Sequence, residues 1–160
     1  MQGKPLLTGG CQCGTVRYAI LEEPGRASIC HCRMCQKAFG NFGAPLVNVD
    51  RTALRWTRGV PSEFRSSVPV ARGFCSHCGT PLYMVEDGSE NVEIAICTLD
   101  TPDAVTPQYQ TGVESEVAWF KILHELPKER TEDYRTREEL EGLRSLQHPG
   151  YDMEEWVVKR

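Results

Sequence analysis

The sequence predicts a mainly β fold, and two observations support this. Residues 14–20 alternate apolar with polar or small side chains, which is the period of a half-buried strand, and the turn Glu23-Pro24-Gly25 follows. Further short runs favour strands and are each bounded by Gly, Pro, Asn or Asp; they are Ala44 to Val49, Leu54 to Thr57, Pro81 to Val85 and Val92 to Leu99.

Helical patterns occur in two places. Cys32 to Phe39 predicts one or two helical turns that end at Gly40 and point Cys35 back toward Cys32. After Pro127 the composition becomes charged. A capping box at Thr136 to Glu139 there precedes three leucines on one helical face, and the helix is expected to end at His148-Pro149-Gly150; the leucines are Leu140, Leu143 and Leu146.

The chain therefore divides into a β domain at residues 1–127 and a helical C-terminal extension at 128–160 that packs on it. Tyr151 to Arg160 contains Trp156 and two valines. We expect this tail to dock either on the body of the protein or on a second chain, which would make a homodimer.

Seven of the eight cysteines fall into three tight clusters. A disulfide between such close neighbours would strain the backbone, whereas thiolates one or two residues apart can bind one metal ion. The spacing therefore predicts zinc sites on Cys11 and Cys13, on Cys30, Cys32 and Cys35, and on Cys75 and Cys78.

Charge and hydropathy count against several classes of protein. The formal charge is −4 and the basic residues are dispersed among acids, which disfavours nucleic-acid binding. Met1 to Gly10 lacks an apolar run bounded by basic residues, and no stretch reaches the length of a membrane-spanning helix. We expect a cytoplasmic protein without membrane contact, where reduced cysteines serve as ligands.

Seven clustered thiols cannot fill two tetrahedral sites of four ligands each. A metal clamp between distant parts of the chain stabilises a fold more than a local one does. This predicts a structural zinc bound by four thiolates and a second, open zinc bound by three, so that two zinc ions bind per chain. The structural ligands are Cys11, Cys13, Cys75 and Cys78, and the open site has Cys30, Cys32 and Cys35.

The open site favours sulfur as its fourth ligand. Three thiolates and a divalent ion carry a net charge near −1, so the metal is a weak Lewis acid but a soft partner for sulfur. A small thiol is the expected substrate, since zinc would lower its pKa and allow a carbon–sulfur bond to be made or broken.

Cys97 and the histidines leave alternatives open. Cys97 lies in the apolar run 94–99, so we expect a buried core residue, with an eighth zinc ligand as the alternative. His31 and His77 lie between ligand cysteines and are expected at exposed positions of the turns, with metal binding as the alternative. His124 and His148 are expected at the surface.

Three segments in this order resemble the glutathione-dependent formaldehyde-activating enzyme family: Gly10 to Tyr18, Cys30 to Gly40 and Phe74 to Leu82. Thr98 to Asp100 and Val113 to Trp119 also look like family segments, so the resemblance covers roughly residues 8–127. It implies a zinc-bearing β-tent of short antiparallel sheets, with the same structural and open sites.

The resemblance also implies a carbon–sulfur lyase that joins formaldehyde and glutathione as S-hydroxymethylglutathione. Two positions depart from the family pattern. Gln110 stands where members often carry His after a Pro-x-x spacing, and Cys97 stands where a small residue such as Gly is usual.

The leading hypothesis is a zinc-dependent carbon–sulfur lyase acting on glutathione or another small thiol adduct. Glutathione carries carboxylates, so cations and amides near the open zinc are the candidate substrate contacts. These are Arg33, Gln36, Lys37 and Arg72, for which ordinary surface positions are the alternative. The competing hypothesis is a non-catalytic zinc scaffold that binds a protein partner.

Overall fold

The computed structural model describes residues 4–151, 153 and 155–159; part of the expected tail, at positions 152, 154 and 160, lies outside them, as do residues 1–3 of the N-terminal segment. Within these residues ten strands form two sheets. They are β1 (Leu7–Gly10), β2 (Arg17–Ile20), β3 (Ala27–Cys30), β4 (Ala44–Asp50), β5 (Leu54–Arg58), β6 (Ser62–Arg65), β7 (Val70–Phe74), β8 (Pro81–Glu86), β9 (Asn91–Ala95) and β10 (Tyr109–Thr111).

The smaller sheet has the strand order β1-β2-β5, and the larger has the order β10-β3-β4-β9-β8-β7-β6. Every pairing is antiparallel except that of β10 with β3, which is parallel. The mainly β prediction is confirmed, with this one parallel pair as an addition.

Three α-helices lie in the described residues, α1 (Arg33–Phe39), α2 (Thr131–Tyr134) and α3 (Arg137–Gly142). The prediction for α1 is confirmed: it begins after the N-cap Cys32 and ends at Gly40, whose φ of 58° lies in the left-handed region. Four 3₁₀ helices also occur, at Ile96–Thr98, Pro102–Ala104, Val113–Ser115 and Ala118–Glu125.

The capping box at Thr136 is also confirmed, since its side chain accepts from the Glu139 N–H and Glu139 accepts from the Thr136 N–H. The expected length of this helix is wrong. It ends at Gly142, and the two later leucines, Leu143 and Leu146, are about half exposed. Without a surface to pack against, an apolar face does not extend a short helix.

The predicted strand at 92–99 ends early, because β9 stops at Ala95 and a 3₁₀ turn follows. The sequence pattern does not predict strands β1, β3, β6, β7 and β10. Their hydrogen-bonding partners, rather than their own pattern, define them.

The main core joins the two sheets. Tyr18 and Ile20 of β2 pack with Val47 of β4, Leu82 of β8 and Ile94 of β9, and all five side chains are fully buried. Cys11 and Cys75 belong to this core, whereas Cys35 belongs to a smaller cluster with Ala44 and Leu46. Each group of cysteines therefore adjoins a buried cluster of side chains.

No helix in the described part of the chain is long and apolar enough to cross a membrane.

Candidate metal centres

Two cysteine turns from distant parts of the chain face one another. Cys11 and Cys13 follow β1, and Cys75 and Cys78 follow β7. Their four Sγ atoms lie within 4.8 Å of one another; Cys13 Sγ is 3.5 Å from Cys11 Sγ and 3.8 Å from Cys75 Sγ. Zinc–sulfur bonds of about 2.3 Å in a tetrahedron would separate the sulfurs by about 3.8 Å. We call this group the four-thiol cluster, and its dimensions fit a metal ion.

A glycine in the left-handed region closes each turn. Gly14, with φ of 76°, donates its N–H to the Cys11 carbonyl oxygen at 3.0 Å. Gly79, with φ of 77°, does the same to the Cys75 carbonyl oxygen at 2.8 Å. Because other residues rarely adopt this conformation, the glycines let each pair of cysteines turn toward one point.

Hydrogen bonds and burial have opposite effects on the pKa values of Cys11 and Cys78. The Val16 N–H donates to Cys11 Sγ at 3.2 Å, and the Thr80 hydroxyl lies 3.1 Å from Cys78 Sγ. Burial raises the pKa of Cys11 above its ordinary value. Burial also raises the pKa of Cys78, but hydrogen bonds with Thr80 and Cys13 together outweigh it and lower that pKa to about 6. A cation at the centre would stabilise the thiolate forms that burial disfavours.

Cys30, Cys32 and Cys35 form a second group, the three-thiol cluster, whose Sγ atoms also lie within 4.8 Å of one another. Cys30 ends β3, Cys32 caps α1, and Cys35 lies in its first turn, where its N–H donates to Cys32 Sγ at 3.4 Å. Among the described residues, no further Cys, His, Asp or Glu joins this group. Three ligands from one short segment leave a tetrahedral ion one position for another molecule.

Cys30 and Cys35 influence each other's ionisation. Hydrogen bonds, first that with Cys35 and then those with Thr111 and Cys32, outweigh burial and lower the pKa of Cys30 to about 4. The bond between Cys30 and Cys35, together with burial, raises the pKa of Cys35. Cys35 is buried, whereas Cys30 and Cys32 are half-buried. The thiolate form of Cys30 is therefore favoured, and Cys30 is more accessible than Cys35.

His31 lies between two of these cysteines but is fully buried, so the expectation of an exposed position is wrong. Its Nε2 lies 2.7 Å from Gln110 Oε1, and its ring packs against Phe42 and Phe120. Gln110 and Phe120 come from remote segments, which the local sequence could not indicate. His77 is exposed, as expected.

A row of side chains crosses part of the larger sheet, and one of them, Arg72, contacts the three-thiol cluster. Phe64 pairs with Arg72, Arg72 with Met84, and Met84 with Glu93 on neighbouring strands, so all four side chains share one face. Arg72 is 7% exposed; its Nη2 donates to Cys35 Sγ at 3.4 Å and its Nε to Ser66 Oγ at 3.0 Å. Burial and the charge of Cys30 raise the pKa of Glu93.

Of the four residues expected to contact substrate, three line one cavity of about 390 Å³ between α1 and the β6–β7 hairpin: Arg33, Lys37 and Arg72. Gln36 does not line it. The Gln36 side chain is buried and its amide donates to the carbonyl oxygens of His31 at 2.6 Å and Ser115 at 2.8 Å. It ties α1 to the loop after β10.

Cys97 joins neither cluster, and the expectation of a buried core residue is wrong because its side chain is exposed. It lies in the 3₁₀ turn after β9 and lines a cavity of about 530 Å³ beside Cys11 and Cys78.

His148 is 4% exposed, so its expected surface position is also wrong, while His124 is exposed as expected. The His148 N–H donates to the Gln12 carbonyl oxygen at 2.8 Å, within the first cysteine turn.

Fold and site together define a mainly β protein with two cysteine clusters, each suited to one metal ion. The family model described as glutathione-dependent formaldehyde-activating enzyme matches residues 6–115, which include all seven clustered cysteines. The chain belongs to this family, and the resemblance expected from its sequence is confirmed.

A crystal structure of a Rhodobacter sphaeroides protein is similar in fold. It is 22% identical to this chain, with a TM-score of 0.51, and the match covers 65% of this chain and 99% of that one. At this identity the likeness shows a shared fold only.

Proposed function

We propose that this protein is a zinc-dependent enzyme, of the carbon–sulfur lyase type, that acts on glutathione or another small thiol adduct in the cytoplasm. The observation that carries the proposal is the three-thiol cluster, which no fourth Cys, His, Asp or Glu of the described residues completes. Family membership supports glutathione as the thiol. All eight cysteines are free of disulfides, which suits a reducing compartment.

In this proposal the two clusters differ in role. The four-thiol cluster holds a structural zinc, because its ligands link turns 62 residues apart and a closed site contributes folding energy. The three-thiol cluster holds the working zinc. Zinc bound there would supply a soft Lewis acid that lowers the pKa of a thiol.

The proposed lyase reaction balances without an oxidant or reductant. When S-hydroxymethylglutathione breaks down, the carbon–sulfur bond breaks and sulfur keeps the electron pair. The hydroxyl group loses its proton to water and becomes the carbonyl group of formaldehyde, while the sulfur leaves as a thiolate. Synthesis of the adduct is the reverse.

The residues around the cluster would assist in defined ways. Three thiolates and one divalent ion carry a net charge near −1, which the Arg72 guanidinium beside Cys35 offsets. Gln36 fixes α1 against the His31 and Ser115 backbone, so the spacing of the cysteines is held by buried hydrogen bonds.

The test compares glutathione with its serine analogue, which has a hydroxyl in place of the thiol. In protein loaded with two zinc ions, glutathione is expected to raise the Tm in proportion to its occupancy, and the analogue is not. In cobalt-loaded protein only glutathione should increase the thiolate-to-metal charge-transfer band. Equal responses to both compounds, or to neither, would contradict the proposal.

The competing role of a scaffold for a protein partner has support from one surface. Trp119, Ile122 and Leu126 expose about half of their apolar side chains on and just after the 3₁₀ helix Ala118–Glu125. A scaffold requires no exchangeable metal position, so an absent response to glutathione would favour it.

A further inference from the structure

The cavity between α1 and the β6–β7 hairpin differs in charge from three other cavities of the described residues, those beside Arg17, Arg65 and Trp56, each of which contains an acidic side chain. Three of its lining residues are cations, Arg33, Lys37 and Arg72, and none is acidic. The cavity beside Arg65 contains Glu63, Glu86 and Asp87, and the cavity beside Arg17 contains Asp100. In a chain of net charge −4, this concentration of positive charge is local.

The walls of the cavity are apolar. Met34 and Ala38 contribute from α1 and Phe64 from β6, with Ser66 beside them. Met34 is 46% exposed and Phe64 is 62% exposed, which is unfavourable for large apolar side chains facing water. An apolar ligand between them would remove that surface from water.

The cations differ in how far they are neutralised. Arg72 is buried and interacts with the Cys35 sulfur and, through space, with Glu93. Arg33 contacts the amide oxygen of Gln36, and neither Arg33 nor Lys37 takes part in an ion pair of the described residues. Two charges at the mouth are therefore available to an anion.

From the juxtaposition of these cations with the apolar walls, we propose that this cavity binds a small organic acid with an apolar body. The body would lie between Met34 and Phe64, and the acid group would lie near Arg33 and Lys37. The volume of about 390 Å³ is at the lower end of the range for small-molecule sites, which suits a compact ligand.

Arg72 lines the cavity and also donates to Cys35, so the ligand would lie next to the three-thiol cluster. We identify the bound acid as the part of the thiol adduct whose carbon is bonded to the thiol sulfur, and this identification rests on the proposed function. Formaldehyde contributes a single carbon and would leave the apolar walls uncovered. A larger, apolar carbon partner would cover them.

Binding is tested by isothermal titration calorimetry with two probes of one skeleton, 4-phenylbutyrate and 4-phenylbutylamine. The acid is expected to bind at least about tenfold more tightly than the amine. Phe64→Ser, or Met34→Ser as a second variant, should weaken the acid about tenfold, while Val68→Ser, at an exposed valine on the loop after β6, should not. Lys37→Glu should weaken the acid, and Lys128→Glu, at an exposed lysine remote in sequence, should not.

Equal binding of acid and amine, or unchanged binding of the acid to Phe64→Ser and Met34→Ser, would overturn the inference. A third probe, 2-mercapto-4-phenylbutyrate, tests the thiol chemistry of the proposed function separately from the binding of the acid. In zinc-loaded protein it should bind more tightly than 4-phenylbutyrate, and Cys32→Ser should remove only that gain. If the thiol adds nothing while the plain acid still binds, the thiol chemistry fails and the acid site stands.

Discussion

The indole Nε1–H of Trp156 donates a hydrogen bond to the Cys13 carbonyl oxygen at 2.7 Å, so the C-terminal tail contacts the first cysteine turn directly. The Trp156 ring also packs edge-on against His148, with ring centroids 4.7 Å apart. Arg58 joins the two segments, since it donates to the Gly14 carbonyl oxygen at 3.2 Å and to the Met153 carbonyl oxygen at 2.6 Å. The tail thus covers one side of the four-thiol cluster.

This contact predicts different costs for the same substitution at the two turn glycines. A Cβ on Gly14 would lie 2.4 Å from His148 Cδ2 and 2.7 Å from Trp156 Nε1, whereas one on Gly79 would meet nothing within 4 Å. Both alanines suffer the left-handed strain of about 1–2 kcal/mol. Gly14→Ala should cost about 1–3 kcal/mol more, because the tail must shift.

Urea unfolding of the two variants measures this difference, and the rate of zinc release to a chelator reports the tail's cover over the cluster. We expect faster release from Gly14→Ala than from Gly79→Ala. Equal stabilities would show that the tail does not pack there in solution.

The two clusters should respond unequally to loss of a ligand. Cys78→Ser or Cys11→Ser removes a ligand from a closed site that joins distant turns, and we expect a loss of more than about 4 kcal/mol, as when a metal site is destroyed. Cys32→Ser affects a local site and should cost about 1–2 kcal/mol. Thermal melts with measured zinc content provide the comparison. Equal damage in both clusters would contradict their division into structural and open sites.

The Arg17–Asp100 ion pair should make stability depend on pH in acid. Asp100 accepts from Arg17 at 2.5 and 2.7 Å and from the Thr8 hydroxyl at 2.5 Å. Burial raises the pKa of Asp100, but these hydrogen bonds outweigh it, so that pKa lies below its ordinary value. A lowered folded-state pKa stabilises the protein above the unfolded pKa, about 3.9, and this contribution disappears as pH falls through the folded pKa.

Asp100→Asn should therefore destabilise the protein by about 3–5 kcal/mol near pH 7, because Arg17 stays buried without its carboxylate. The difference from wild type should shrink below about pH 4. Asp87→Asn is the matched control: its pair with Arg65 is exposed, so little change is expected. A difference for Asp100→Asn that stays constant with pH would show that the carboxylate charge is not responsible.

The sequence predicted the local parts of this molecule well, because spacing alone determines them. The cysteine clusters come together as expected, and α1 lies between Cys32 and Gly40 as predicted. Burial was less predictable where it depends on remote segments. His31 is covered by Phe120, which lies 89 positions away, and His148 by contact with the first cysteine turn. No local pattern contains that information.

The expectation that Cys97 is buried is wrong because strand β9 ends before this residue. Residues 94–96 are buried and apolar, so the run looks like a strand through Leu99. A 3₁₀ turn begins at Ile96 instead, and it directs Cys97 outward while Leu99 returns to the core. Cys97 and Leu99 therefore differ in burial although they are two positions apart: Cys97 is exposed and Leu99 is buried.

The exposed position of Cys97 leads to the last prediction. Because its side chain fills no buried space, Cys97→Ala should change the free energy of unfolding by less than about 0.5 kcal/mol and leave two zinc ions bound. In cobalt-loaded protein the thiolate-to-metal charge-transfer band should keep the wild-type intensity, since Cys97 belongs to neither cluster. Iodoacetamide should modify one cysteine in zinc-loaded wild type and none in the variant, because metal binding protects the other seven thiols.

The matched variant Cys32→Ser should lose intensity in the charge-transfer band of the cobalt-loaded protein under the same conditions. Lower intensity in Cys97→Ala would mean that Cys97 reaches a metal in solution. The site it reached would then have one sulfur ligand more than its cluster supplies, and if that were the three-thiol cluster, the position proposed for the substrate thiol would already be filled.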